Sequence, residues 1–318
     1  MNRQKKIPPF GGNKELKQWL EEAAKERRIS HTLILSAPAG AERDAAALEI
    51  AKYILCPEMT ADPNHLDCAC CRKVDQMIHP DLIVLRADNK SGTLSVQKLR
   101  EELVATLPVF PHEAEKKVYY LADRMLPAAQ NLLLKSLEEP PLHTHFILGC
   151  EMESEFLTTV RSRSVHLHLS PLTWEEMKEI LPEASKQELL FALSGGYLSR
   201  AAELGEEKIQ KTERLIETML SALLSRKEYD FLAALEQAEK QKCTEFVLRG
   251  MVWLLRGTLG LTPPLEGALS SLQSRCRQDW SVSKRTNLLA LCNRMLAPQI
   301  AGRNQMLKMT SFAASLFS

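Results

Sequence analysis

The run Leu33-Ile-Leu-Ser-Ala-Pro-Ala-Gly-Ala-Glu-Arg-Asp44 constrains the fold of this chain more than any other segment. An apolar stretch leads into a Pro/Gly turn, and the turn opens an Ala-rich helical pattern. Strand, loop and helix in that order is the layout of a phosphate-binding loop, whose working form is G-x-x-x-x-G-K-[ST]. Laid on Pro38-Ala39-Gly40, the first glycine becomes Ala37, the second Glu42, the lysine Arg43 and the hydroxyl residue Asp44. Glu42 puts a negative side chain where backbone amides would meet a polyphosphate. Asp44 puts a second carboxylate where a hydroxyl would hold magnesium. A helix N-terminus attracts anions, so these two acids can occupy that field themselves. The layout is that of a nucleotide site with its chemistry removed. An ordinary strand–loop–helix that never bound nucleotide is the other reading of the same twelve residues.

The chain has 318 residues, enough for two or three domains. Its 45% hydrophobic and 25% charged content is that of a globular protein. The net charge of +1 gives no overall basic field for binding nucleic acid, so any DNA contact would be local or shared with partners. No apolar run reaches the roughly 18–20 residues that span a bilayer. The charged start Met1-Asn-Arg-Gln-Lys-Lys-Ile-Pro has no apolar segment of the kind a secretory signal needs. These features predict a cytoplasmic protein whose eight cysteines do not form a disulfide framework.

The first half alternates between two patterns. Helical spacing over 14–28, 43–55, 95–106, 127–138 and 153–159 separates short apolar runs at 32–36, 82–86, 118–121, 146–149 and 165–169. Such alternation predicts βαβ units and a mostly parallel sheet. Thr173-Trp-Glu-Glu176, just after Ser170-Pro171, has the form of a capping box opening a new helix. From there the pattern is helical throughout. The spacing predicts an α/β domain over 1–170, a small helical domain over 171–207 and a larger helical domain over 208–318.

Four cysteines fall within sixteen residues: Cys56, Cys68, Cys70 and Cys71. Cys150, Cys243, Cys276 and Cys292 lie in apolar surroundings and read as small buried hydrophobes. Zinc takes four ligands converging tetrahedrally, and pairs spaced two residues apart on a tight turn supply them. Cys56, His65, Cys68 and Cys71 form a C-x8-H-x2-C-x2-C knuckle, with Cys70 as the alternative to His65. A closed four-ligand site is structural, here a staple for a loop inserted over 56–79.

Several further segments bear a family resemblance. These are Arg28-Ile-Ser-His-Thr-Leu-Ile-Leu35 ahead of the loop, His79-Pro80-Asp81 ahead of the next strand, and Ala129-Gln-Asn-Leu-Leu-Leu-Lys-Ser-Leu-Glu-Glu-Pro-Pro141. Thr159-Val-Arg-Ser-Arg-Ser164 and Ser194-Gly-Gly-Tyr-Leu-Ser-Arg200 complete the set. Together they resemble the delta-prime subunits of bacterial DNA polymerase III clamp loaders, which belong to the AAA+ clamp-loader family. The likeness covers the α/β half and the start of the helical half. Beyond that it extends only to helical character and length. It implies an AAA+-like P-loop sheet domain, a helical lid and a C-terminal helical collar that holds five subunits in a ring. The knuckle occupies the family's zinc position, with His65 where cysteine is usual. Ser164 stands where the family's Ser-Arg-Cys motif has its cysteine.

The resemblance also implies roles. Active relatives carry Asp-Glu-Ala-Asp at the end of the strand over 118–121, to hold magnesium and orient the attacking water. Here the segment is Val118-Tyr-Tyr-Leu-Ala-Asp123, so the first two acids become Tyr120 and Leu121 and only Asp123 remains. ATP is therefore not expected to bind or be hydrolysed here. An active ATPase of the same fold, with Arg43 in the lysine's place, is the alternative. Arg163 is implied as an arginine finger supplied in trans to the ATP site of a neighbouring subunit, with Arg161 as its understudy. Arg200 is either a lid sensor or a structural ion pair. The implied partners are the tau/gamma ATPase subunits and delta in a hetero-pentamer. Through that complex come the sliding clamp and primed DNA, in the cytoplasm at the nucleoid and with no membrane. The pairs His166/His168 and His143/His145 have metal-like spacing but no third ligand in sequence, and read as partly exposed strand faces. Arg3, Lys5 and Lys6 read as a solvated tail, and Lys14, Lys17, Lys25, Arg27 and Arg28 as the polar face of a helix.

Overall fold

The computed structural model describes residues 10–38, 40–61, 65, 68–89, 92–181, 186–262 and 268–296. Arg3, Lys5, Lys6 and residues 297–318 lie outside them. The chain divides into two compact units, Met1–Leu172 and Thr173–Ser318. The segments 171–207 and 208–318, separate in the sequence reading, thus fall almost wholly within the second unit.

The first unit is built on a five-stranded parallel sheet. Its strands are β1 (Thr32–Ser36), β2 (Leu82–Leu85), β4 (Lys117–Leu121), β6 (Thr144–Cys150) and β7 (Val165–His168), in the order β2-β4-β6-β1-β7. Two-residue strands β3 (Thr93–Leu94) and β5 (Arg124–Met125) form a separate small ladder. Every residue of β1, β4 and β6 is buried, which is why these strands read as unbroken apolar runs rather than alternating ones. Their side chains still alternate between two cores. Leu33, Leu35, Val118, Tyr120 and Ile147 face one, with Leu20 of α1 (Lys14–Lys25) and Ala46, Ala47 and Ile50 of α2 (Ala41–Leu55). Ile34, Tyr119, Leu121, Phe146 and Leu148 face the other, with Leu133 and Leu137 of α6 (Pro127–Glu138). Helices therefore cover both faces, as a parallel sheet requires.

Three expected helices come out differently. The first stops at Lys25, because Arg27 adopts a left-handed conformation and Arg28 N–H closes back on the Ala23 carbonyl at 2.8 Å. The expected helix over 95–106 is one α-turn, α5 (Val96–Lys98), widened into a π-helix over Leu99–Val104. The expected helix over 153–159 is broken. A 3₁₀ turn (Glu153–Glu155) is followed by α7 (Thr158–Arg161), because the side chain of Gln130 takes the Leu157 N–H at 2.7 Å. Two short helices in the inserted loop, α3 (Pro57–Ala61) and α4 (Ala69–Asp75), carry no periodic signature of their own.

The second unit is helical among its described residues: α8 (Trp174–Ile180), α9 (Gln187–Ser194), α10 (Leu198–Glu203), α11 (Glu206–Leu224), α12 (Glu228–Lys240), α13 (Thr244–Thr258), α14 (Ala268–Asp279) and α15 (Val282–Leu296). The capping box forms as the sequence predicts. Glu176 N–H donates to Thr173 Oγ1 at 3.3 Å, and Thr173 N–H donates to Glu176 Oε2 at 3.0 Å. Phe191 of α9 sits edge-on between Trp174 and Trp253, with ring centroids 5.7 and 5.1 Å away. Among the described residues no helix is long and apolar enough to cross a membrane.

Candidate functional site

Gly40 and the start of α2 lie beyond the carboxyl end of β1, the side of an α/β sheet where ligands bind. Gly40 caps α2 with φ of 146°, a conformation open in practice only to glycine. Arg43, one turn into α2, is buried. Its Nη1 donates to the Ala37 carbonyl at 3.3 Å and its Nη2 to the Ala122 carbonyl at 2.5 Å, the ends of β1 and β4. Its Nε finds no acceptor among the described residues. The guanidinium also reaches the end of β6. A Cβ on Gly149 would lie 3.2 Å from Arg43 Nε and 3.1 Å from the Ala122 carbonyl, so a side chain there would press its neighbours by a few tenths of an ångström.

Asp44 completes the closure. Its carboxylate accepts the Tyr120 hydroxyl at 2.8 Å and pairs with Arg86 Nη2 at 2.8 Å. Burial, then the charge of Asp44, push the Tyr120 phenol up, so it stays a neutral donor. The Asp44 charge raises Arg86 against the opposing effect of burial. Asp123, the one acid left at the end of β4, accepts the Ala87 N–H at 2.7 Å and so ties down the chain after β2. Arg43, Asp44 and Asp123, the charged residues at the positions of a working loop and its strand-end acid, are thus each engaged by the chain's own groups.

The knuckle brings together the four residues of the C-x8-H-x2-C-x2-C reading. The ligand atoms of Cys56, His65, Cys68 and Cys71 all lie within 4.8 Å of one another, and Cys70 is not in that group. Cys56 Sγ and Cys68 Sγ are 3.5 Å apart. Zinc–sulfur bonds of about 2.3 Å give tetrahedral edges of roughly 3.8 Å, so the donor set fits that ion. Burial disfavours ionisation of Cys68. Hydrogen bonds from the Cys71 N–H, His65, Cys56 and the Cys71 thiol outweigh it and bring Cys68 down to about 6, which makes a thiolate available. Burial and the neighbouring Cys56 and Cys68 push Cys70 up to about 12, where it remains a thiol. Glu58 lies 3.1 Å from His65 Nε2, the kind of outer carboxylate that orients a ligating imidazole. Lys52 anchors the knuckle to α2, bridging Asp75 at 2.7 Å and Glu49 at 3.2 Å.

Arg163 is exposed just beyond α7. Its Nη2 pairs with Glu138 Oε1 at 2.8 Å, and its Nη1 donates to the Thr159 carbonyl at 2.8 Å and to Ser162 Oγ at 3.3 Å. Arg161 points elsewhere, with Nη2 on Thr158 Oγ1 at 3.3 Å. The start of α7 is held by buried Gln130 of α6, whose amide nitrogen donates to the Met125 and Glu155 carbonyls at 2.9 and 2.8 Å. In the second unit Arg200 pairs with Glu245 at 3.2 Å and lies over the Tyr197 ring.

Of the two histidine pairs, His143, His166 and His168 are exposed, as the sequence reading expects, and His145 departs from it. His145 is buried, not partly exposed, because β6 is an inner strand. His166 does have an acid beside it: Glu153 Oε2 lies 2.8 Å from its Nδ1, brought across by the turn before α7. Sequence reasoning also missed Arg86, Gln130 and Glu138. No local spacing links Arg86 to Asp44 or Glu138 to Arg163.

Comparison with known proteins shows the family of the chain. The family described as DNA polymerase III, delta subunit, matches residues 12–173, half of the chain. The DNA polymerase III subunit delta' of Escherichia coli K12 is 30% identical over 223 residues, covering 67% of this chain and 66% of that one. That of Yersinia pestis is 30% identical over 198 residues, covering 59% and 57%, and that of Bacillus subtilis 32% over 182 residues, covering 56% and 54%. The chain therefore spans between about half and two thirds of the length of these relatives. It belongs to the DNA polymerase III delta-subunit family, with a parallel-sheet α/β domain followed by helices. Within that family its similarity is to the delta-prime subunits of DNA polymerase III.

Proposed function

We propose that this chain is a non-hydrolysing member of a clamp loader, working in a hetero-pentamer with tau/gamma ATPase subunits and delta. It supplies Arg163 in trans to a neighbour's ATP while the assembly loads a sliding clamp onto primed DNA at the nucleoid. The observation that carries the reading is Arg43, whose guanidinium fills the end of its own phosphate loop. A guanidinium is always charged and presents planar donors, which suits Arg163 to the charge that develops on a transferring γ-phosphate. Residues 171–207 act as the lid and 208–318 as the collar in this reading. Arg200, paired with Glu245, serves the structure of the second unit. Cys56, His65, Cys68 and Cys71 hold a structural zinc, which when bound would cross-link the inserted loop.

Titration of the isolated protein with ATP separates this from an active ATPase of the same fold. The account predicts no saturable binding up to millimolar ATP. Affinity in the micromolar range would contradict it.

A further inference from the structure

We propose that Glu138 is a latch that holds the finger arginine on its own subunit until a neighbour's phosphate displaces it. The inference rests on the reading of Arg163 as the finger, and it adds a positioning residue and a built-in restraint to that reading.

The argument begins with where Glu138 stands. It is the last residue of α6, followed by the Glu139 cap and Pro140-Pro141. The carboxyl end of a helix favours cations, so helix electrostatics disfavour an acid there. A partner that offsets this is at hand in Arg163, 2.8 Å away. Both terminal nitrogens of Arg163 are engaged by its own chain: Nη2 by Glu138, Nη1 by the Thr159 carbonyl and Ser162 Oγ. A phosphate takes a guanidinium through the same donors, often two at once. Glu138 and a γ-phosphate therefore compete for Nη2, and the arginine must leave the first to serve the second.

The competition is weak enough to be reversible. Arg163 and Glu138 side chains are 35% and 50% exposed, so water screens the pair. An exposed pair of this kind biases an equilibrium by roughly two- to five-fold. That is enough to hold the arginine back at rest, and too little to resist a polyphosphate carrying several charges.

The test is the ATP hydrolysis rate of the assembly reconstituted with its ATPase subunits, measured across ATP concentrations. Wild type, E138Q, E138D, R163A and the E138Q/R163A double variant are compared. E138Q is expected to raise kcat about two- to five-fold with KM for ATP unchanged. E138D, which keeps the charge, is expected near wild type. The double variant is expected to match R163A, because a latch with nothing to hold has no effect. An E138Q rate at or below wild type, with R163A slowed, overturns the latch and leaves the finger standing. So does an E138Q increase that persists in the double variant, or an E138D that behaves as E138Q. An R163A rate equal to wild type overturns the finger reading, and the latch falls with it.

Discussion

Asp81 shows how much one buried carboxylate can organise. It belongs to the His79-Pro80-Asp81 motif and accepts the backbone N–H groups of His112, Glu113 and Ala114 at 2.6, 2.8 and 2.8 Å. Burial works against its charge, but these three donors outweigh that and hold its pKa below the ordinary carboxylate value. Its contribution is thus complete above the ordinary carboxylate range and is lost only as pH falls through its lowered value. Asp81→Ala should destabilise the first unit by about 3 kcal/mol, because three part-buried backbone donors lose their charged acceptor. Denaturant unfolding would measure it, and a loss under about 1 kcal/mol would show that the loop re-pairs these groups. The motif was legible in the sequence, but its job was not, since the partners lie more than thirty residues on. Arg43 is the converse case. A basic residue at the lysine position reads the same whether it meets phosphate or fills the site, and only the carbonyls of Ala37 and Ala122 separate the two.

At the scale of elements, the five main strands were legible to within two residues at either end, four as dense apolar runs and β7 as a short alternating segment. The elements that escaped were too short for a period to show or were fixed by distant side chains. β3 and β5 have two residues each, and α7 starts where it does because Gln130 claims the Leu157 N–H. In the knuckle, ligand spacing carried the signal instead of periodicity. Gently purified protein should carry about one zinc per chain, and Cys68→Ser should lose it. His65→Ala should weaken retention more than Cys70→Ser, because Cys70 stands outside the convergent quartet. Metal analysis decides this. Protein without zinc, or a Cys70 variant that alone loses the metal, would contradict the site.

For the molecule as a whole, acid sensitivity has an identifiable source in the first unit. His145 stacks on His31 with centroids 5.0 Å apart, and its Nδ1 lies 3.1 Å from the Ser30 carbonyl. Burial lowers its pKa to about 4, below the ~6.5 of an unfolded histidine. As pH falls the unfolded chain takes up this proton first. The stabilisation is therefore full above pH ~6.5 and declines toward pH 4, by about 3 kcal/mol at most. His145→Gln should flatten that part of the stability–pH profile relative to wild type, and an unchanged slope would assign the acid sensitivity to other groups. The proposed function turns on two arginines with opposite fates. Arg43 is buried in its own loop, and Arg163 is exposed beyond α7. The measurement that tests this division most directly is the ATPase rate of the reconstituted assembly carrying Arg163→Ala. The account predicts an assembly that still forms but hydrolyses ATP several-fold more slowly, because one site loses a group worth roughly 10³–10⁵ in rate. An intact assembly with an unchanged rate would contradict it.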